Sequence, residues 1–329
     1  MKSFEVILLK FISPVHFGDA ADGGGLEDII PYCRADTFFS ALCKEAADIS
    51  SELLEWLLER AKSGDIRISD LLPWREFDHN YELYIPRPIM SVQKRQDRTD
   101  LSFEEVKEQS RERKKQKKRS FIRTSEIKKY LHGEDISDQP EFGKEAMRTQ
   151  FNGREKLPYP IAAYHFGPDA GLYVLLSGDN EDLQKLETLI RMTGLSGIGG
   201  KRSSGYGKYK WEDDPLFLSE DAIYGGDDAV LYKMLSSGKA DYYMALSSVL
   251  PMETELETAE NGTGKLIKRG GISWSRNMEE PHKTNNIYMM TAGSCFTKPL
   301  EGRVADVNNG SAPHPIYKYG KGLFVGLSL

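Results

Sequence analysis

The apolar run F-E-V-I-L-L-K-F (4–11) has strand length and predicts a central strand buried on both faces. Phe38, Phe39, Leu42 and Ala46 then fall on one helical face, behind Asp36 as a good N-cap. Leu53, Leu54, Leu57, Leu58 and Ala61 predict a second helix that stops near Gly64. Leu83 to Met90 reads as an extended piece, which Pro86 and Pro88 confine to an edge. Residues 91–120 hold few apolar positions and cannot build core, so they read as a projecting insertion. Order resumes at Phe121–Ile122, followed by a short helix capped near Thr124 or Ser125 and ending at Gly133. Strands around Ile161–Phe166 and Gly171–Leu176 predict a hairpin across G-P-D-A-G. Leu183, Leu186, Leu189 and Ile190 predict a helix over 181–193, and Tyr206 to Trp211 a strand. Strand, helix and strand with antiparallel partners make a ferredoxin-like, or RRM-like, α+β sandwich. The tail from Tyr242 is strand-rich, with Y-Y-M-A-L-S-S-V, I-Y-M-M-T-A and a closing G-L-F-V-G-L.

Between the 181–193 helix and its following strand lies G-L-S-G-I-G-G-K-R-S-S-G-Y-G (194–207), with six glycines around Lys201–Arg202. Glycines let backbone amides approach an anion, and the two cations with the hydroxyls of Ser203 and Ser204 add donors. A Walker loop fails because Leu195 stands where its first glycine belongs, and a dinucleotide fingerprint fails because Arg202 stands in its last place. Nucleotide loops run from strand to helix, whereas this loop runs from helix to strand, with Gly194 as a plausible C′ residue. A ligand-free glycine-rich turn is the competing reading.

Length and composition admit two domains: 329 residues, 39% hydrophobic and 29% charged. No apolar run approaches the roughly 20 residues of a membrane span, and no signal peptide is expected at the N-terminus. Three cysteines without a C-x-x-C pair fit free thiols in a reducing cytoplasm. Scattered histidines and the lack of a metal-binding pattern predict neither metal nor cofactor. A net charge of −6 argues against whole-surface binding of nucleic acid. Positive charge is concentrated instead in Arg111, Arg113, Lys114, Lys115, Lys117, Lys118 and Arg119, which read either as a solvated loop or as an RNA contact. His16, beside Gly18, is the one candidate general acid or base, and it has no visible partner. The carboxylates of 255–260 read as an exposed face and Trp274 as core.

The blocks R-A-D-T-F-F-S-A-L-C (34–43), I-G-G-K-R-S-S-G-Y-G (198–207), L-I-K-R-G-G (266–271), A-G-S-C-F (292–296) and H-P-I-Y-K-Y-G (314–320) occur in this order along most of the chain. Together they resemble the RAMP family members that form the fourth subunit of type III-A CRISPR Csm effector complexes. The resemblance implies an α+β chain of two ferredoxin-like/RRM-like domains with glycine-rich loops and a basic insertion. Residues 1–212 would hold the insertion at about 91–120 and the main loop 194–207; residues 213–329 would carry a second glycine loop at 319–322, the boundary being loosely set. It further implies a non-catalytic subunit that binds the 5′ handle of crRNA and contacts the large polymerase-like subunit and the backbone subunit, meeting target RNA only indirectly. No membrane is involved. RNA contacts are expected from His16, Gly18, Arg34, Gly197, Gly199, Gly200, Lys201, Arg202, Ser203, Ser204, Gly205, Tyr206, Lys268, Arg269, Tyr319 and Lys321, with Tyr206 able to stack on a base. The alternative is a RAMP endoribonuclease that processes precursor crRNA with His16 as general acid or base.

Overall fold

The computed structural model describes residues 3–18, 25–90, 107, 119–151, 157–273, 275 and 278–329. Its centre is an antiparallel sheet built around β1 (Ser3–Phe11). After helices α1 (Ala35–Ile49) and α2 (Ser51–Ser63) come β2 (Arg67–Ile68), β3 (Leu72–Phe77), β4 (Asn80–Pro86) and β5 (Phe121–Arg123). The short helix α3 (Ile127–Leu131) leads to β6 (Gly143–Phe151), β7 (Pro158–Phe166), β8 (Ala170–Gly178), helix α4 (Asn180–Ser196), β9 (Tyr209–Trp211) and β10 (Leu216–Phe217). In space β1 lies between β8 and the pair β9 and β10, and β3, β4 and β5 follow beyond β8.

Strand alternation gives the sheet two buried faces. Ile7 and Leu9 of β1, with Leu172, Val174 and Leu176 of β8, face the helices. There they meet Phe38, Phe39 and Leu42 of α1, Leu57 of α2, and Leu183, Leu186 and Ile190 of α4. Val6, Leu8, Tyr173 and Leu175 face the other way, where the C-terminal region covers them. That region comprises α5 (Asp227–Leu235), β11 (Tyr242–Ala245), α6 (Leu256–Glu260), β12 (Leu266–Arg269), β13 (Ile272–Ser273), β14 (His282–Lys283), β15 (Ile287–Met290), β16 (Cys295–Phe296), β17 (Ala305–Asp306), β18 (Tyr317–Lys318) and β19 (Phe324–Leu327). A three-stranded sheet in the order β16, β11, β19 supplies Met244, Cys295, Val325 and Leu327 to the same cluster as Val6 and Leu8. The two ends of the chain therefore share one core.

Three local expectations are corrected. Strand β7 pairs along its whole length with β6, not with β8, so the hairpin is 143–166. Both faces of β6 meet solvent, and its sequence lacks the apolar alternation that would reveal it. Helix α4 runs past Gly194 to Ser196 and ends at Gly197, whose φ is 80°. Gly194 is instead a contact glycine: a Cβ there would lie 2.6 Å from the carbonyl oxygen of Tyr209. Asp36 is not the N-cap of α1. It lies in the first turn, fully buried, while the carboxylate of Asp70 accepts the Ala35 N–H at 2.8 Å.

Asp70 also accepts the Ser248 N–H at 3.0 Å on the same oxygen, Oδ1, and the Ser248 hydroxyl at 3.3 Å on Oδ2. Burial raises its pKa from the ordinary 3.8 to about 6. The folded state thus holds this proton more tightly than the unfolded chain. The stability it contributes is complete below pH 3.8 and lost as pH rises through 6. Asp70→Asn keeps an Oδ1 for both amides, so thermal unfolding of this variant should retain most stability while losing that part of the decline between pH 4 and 7. Asp70→Ala strands two buried N–H groups, each costing about 1–3 kcal/mol, and should unfold at clearly lower temperature at every pH.

Candidate nucleic-acid interface

The glycine loop packs on the segment after β1. The Gly200 N–H donates to the His16 carbonyl at 2.9 Å, Gly207 N–H to Pro14 at 2.8 Å, and Ile198 N–H to Gly207 at 3.0 Å. A Cβ on Gly199 would lie 2.8 Å from the His16 carbonyl oxygen, and one on Gly200 2.6 Å from the His16 ring. Side chains are excluded there by contact, not only by backbone angle. Lys201 is the unusual residue, a non-glycine in the left-handed region at φ 58°, ψ 25°. It leads directly into the right-handed turn Arg202–Ser204. A left-handed residue followed by a right-handed one aims successive N–H groups at a common point, an anion-binding nest. The N–H groups of Lys201, Arg202 and Ser203 have no partner among the described residues. Ser203 and Ser204 are exposed beside them.

Side chains fix this concavity from the hairpin. Lys201 Nζ donates to the Tyr159 hydroxyl at 3.1 Å and lies 4.6 Å above that ring. Arg202 is half-buried; burial lowers its pKa, and Glu45 and Asp48 act against that shift. Tyr206 is 5% exposed, so its ring lies inside and its face is not presented to a base. His16 is also buried, its Nδ1 2.8 Å from the Ala162 carbonyl oxygen. Gly18 bridges Ile29 at the surface.

The other expected contacts are placed elsewhere. Arg269 donates to both oxygens of Asp36, at 3.0 and 3.2 Å, and is 7% exposed. Arg34, also buried, lies 5.4 Å from the Tyr32 ring centroid. Lys268 is half-buried on β12 opposite Tyr288. Tyr319 is fully buried against Phe39 and accepts the Ile68 N–H at 2.9 Å, while Lys321 Nζ donates to Glu301 at 3.0 Å. The 319–322 segment thus seals the junction of the two regions toward the Glu5 end of the sheet, and the main loop closes its Phe11 end. The two glycine segments do not share a cleft. Arg119 is buried, donating to Ser137 and Asp138, and the other six cations of the basic run lie outside the described residues. Trp274 lies outside them too. Tyr159, which the sequence did not single out, carried no signal beyond its hairpin position.

A family model described as the RAMP superfamily matches residues 8–210, and one described as the CRISPR Csm4 C-terminal domain matches residues 238–327. A curated relative, the CRISPR system Cms protein Csm4 of Mycobacterium tuberculosis (strain H37Rv), is 32% identical over 323 residues, which cover 95% of this chain and 94% of that protein. The protein of the same name from Streptococcus thermophilus is 29% identical over 330 residues, covering 99% of this chain and all of that one. The fold resembles a Csm3–Csm4 subcomplex of the type III-A CRISPR–Cas interference complex with a TM-score of 0.65, at 18% identity over 99% of this chain and 100% of that chain. A Csm1–Csm4 cassette in complex with pppApA matches with a TM-score of 0.61, at 18% identity over 100% of this chain and 99% of that chain.

Two glycines of the loop should respond differently to alanine. Gly205 has φ 85° with open space around it, so Gly205→Ala meets only left-handed strain of about 1–2 kcal/mol. At Gly207, φ 77° is joined by a Cβ clash 1.9 Å from the Ile198 carbonyl oxygen. Urea unfolding should show Gly207→Ala as the markedly less stable protein; equal midpoints would mean that the loop does not close as described.

Proposed function

The chain belongs to the RAMP superfamily, among its Csm4 proteins, and on that premise we propose that it is a non-catalytic RNA-binding subunit of a type III-A CRISPR effector complex. In this reading it holds the 5′ handle of crRNA and bridges the large polymerase-like subunit to the backbone subunit. Target RNA is met only through the assembled complex, in the cytoplasm, as part of antiviral defence. Relatives captured in Csm3–Csm4 and Csm1–Csm4 assemblies support the bridging role. Among the described residues no helix is long and apolar enough to cross a membrane.

The observation that carries the RNA-binding part is the set of three convergent N–H groups at Lys201–Ser203, flanked by exposed hydroxyls. Amides recognise phosphate without reading bases, as a subunit that grips the backbone of its guide requires. Two ferredoxin-like regions, 1–212 and 213–329, frame this reading. The strand order β9, β1, β8, β3, with α1 and α4 on one face, supports the first of them. His16 supports the absence of catalysis: with Nδ1 held by a backbone carbonyl and its ring beneath Gly200, it is poorly placed to exchange protons with a bound strand.

The test is binding of a labelled single-stranded RNA bearing a repeat-derived 5′ end, followed across salt concentrations. Replacing Lys201 and Arg202 together with alanine should weaken binding and reduce the log–log salt slope by about 0.7 for each phosphate no longer neutralised. An unchanged slope would make the loop a simple turn. A repeat-containing transcript incubated with the protein in EDTA should stay intact; its specific cleavage would instead support the endoribonuclease.

A further inference from the structure

Among the described residues, buried carboxylates are answered by donors, with one exception. Asp36, Glu82, Asp182 and Asp227 each face an arginine, and Asp70 and Asp228 each take two backbone amides. Glu5 of β1 is fully buried, yet among the described residues no donor reaches either of its carboxyl oxygens. Strand alternation puts its side chain on the face of Ile7 and Leu9, toward α4. Its strand neighbours are Leu176 on β8 and Phe217 on β10, neither of them ionisable. The one charged group that acts on it among the described residues is Glu187, half-buried on α4, the helix whose first residue, Asn180, accepts the Ser3 hydroxyl at 3.0 Å.

A carboxylate in that position would hold a bare charge out of water and beside a like charge, an arrangement that folds avoid. A carboxylic acid escapes both penalties. Its hydroxyl is itself a donor, and the Glu187 carboxylate is the acceptor within its reach. Burial first, and the Glu187 charge second, raise the Glu5 pKa from 4.5 to about 9, so the native protein keeps this proton at neutral pH. In the unfolded chain the group has its ordinary value of 4.5 and is ionised at the same pH. Its place in the sequence then matters. Glu5 interrupts F-E-V-I-L-L (4–9), and without its charge this stretch would be an apolar window free of proline, the pattern that pairs edge to edge between chains.

We propose that Glu5 is a proton site coupled to folding: ionised in the unfolded chain, where its charge keeps the apolar first strand from pairing with other chains, and neutral in the native sheet, where its hydroxyl donates to the Glu187 carboxylate. One proton passes from solvent to Glu5 as β1 docks between β8 and β10. Inward-pointing charges protect open strand edges in sheets generally; here the charge is removed once the strand has its own partners. The consequence is a native state that weakens in alkali. The stability tied to this proton is complete below pH 4.5 and lost as pH rises through 9. This role is separate from RNA binding.

Glu5→Gln keeps the shape of the side chain and offers Glu187 an N–H without a titrating proton. Glu187→Gln removes the same net charge but leaves Glu5 ionised on the unfolded strand. In urea unfolding from about pH 6 to 8, the folding equilibrium constant of the unmodified chain should fall by about tenfold per pH unit relative to that of Glu5→Gln. A ratio independent of pH would overturn the proposal. An infrared difference spectrum between the unmodified chain and Glu5→Gln at neutral pH should contain the carbonyl stretch of a neutral carboxylic acid; a carboxylate band in its place would also overturn it. Dilution from urea at neutral pH tests the unfolded state. Glu5→Gln, although the more stable protein, should leave a larger aggregated fraction by light scattering than the unmodified chain and Glu187→Gln, which should match each other. Equal aggregation by all three, or the same excess in Glu187→Gln, would remove the protective role. Mg²⁺ in place of EDTA should leave the unfolding midpoints unaltered, and a rise confined to the unmodified chain would make the carboxyl pair a cation site instead.

Discussion

Two carboxylates buried at the start of α1, Asp36 and Asp70, join the first region of the chain to the second. Asp36 takes a bidentate contact from Arg269 and a third from Lys318 at 3.1 Å, while Asp70 receives backbone amides from Ala35 and Ser248. A buried charge without partners is costly, and removing one member of such a pair typically costs about 3–5 kcal/mol. The position of α1 is therefore fixed by residues more than two hundred positions away. The two groups also titrate in opposite senses. Burial pushes both upward, but at Asp36 Lys318 and Arg269 outweigh it and bring the pKa to about 2, whereas at Asp70 the amides of Ala35 and Ser248 and the charge of Arg34 do not, and the Asp36 charge adds to the rise. The stability due to Asp36 is present above pH 3.8 and fades as pH falls toward 2, opposite to that of Asp70.

The glycine loop is floored by the segment after β1, to which it is bonded at Pro14 and His16. Its glycines serve two purposes. Gly199 and Gly200 admit the His16 carbonyl and the His16 and Phe17 rings at distances no Cβ permits, and the left-handed Lys201 reverses the chain into the turn that follows. In the proposed function, an acidic protein grips a polyanion through local geometry. Amides carry no net charge, and several of the buried cations are spent on internal pairs with carboxylates.

Periodicity made the α-helices 36–46, 53–61 and 181–193 legible, because each buries a 3.6-residue stripe against the sheet. The central strand was legible for the same reason, as its apolar run is buried on both faces. The loop's place between a helix and a strand followed from the helix ahead of it. Less visible were the fates of Arg269, Tyr319 and Lys321. Each stands in a glycine-bearing motif that resembles a ligand loop, yet each answers a partner far along the chain: Asp36, Ile68 and, nearer, Glu301. Local sequence holds no record of such pairings. Tyr206 misled for a related reason: an aromatic between glycines looks like a platform, but its neighbours Ile198 and Tyr209 belong to the packed side of the loop.

The wiring of β1 has a consequence for how the fold is reached. Its strand partners are β8, β9 and β10, so the first strand made must wait until residues 172–178 and 209–217 have been added. The face carrying Val6 and Leu8 is closed later still, by Met244, Leu323 and Leu327. Loops this long cost entropy before any contact rewards them, so folding of this topology is slow and leaves an apolar strand uncovered meanwhile. During that interval the first strand is an adhesive edge, and how much chain reaches its native state depends on the local concentration of nascent chains as well as on final stability.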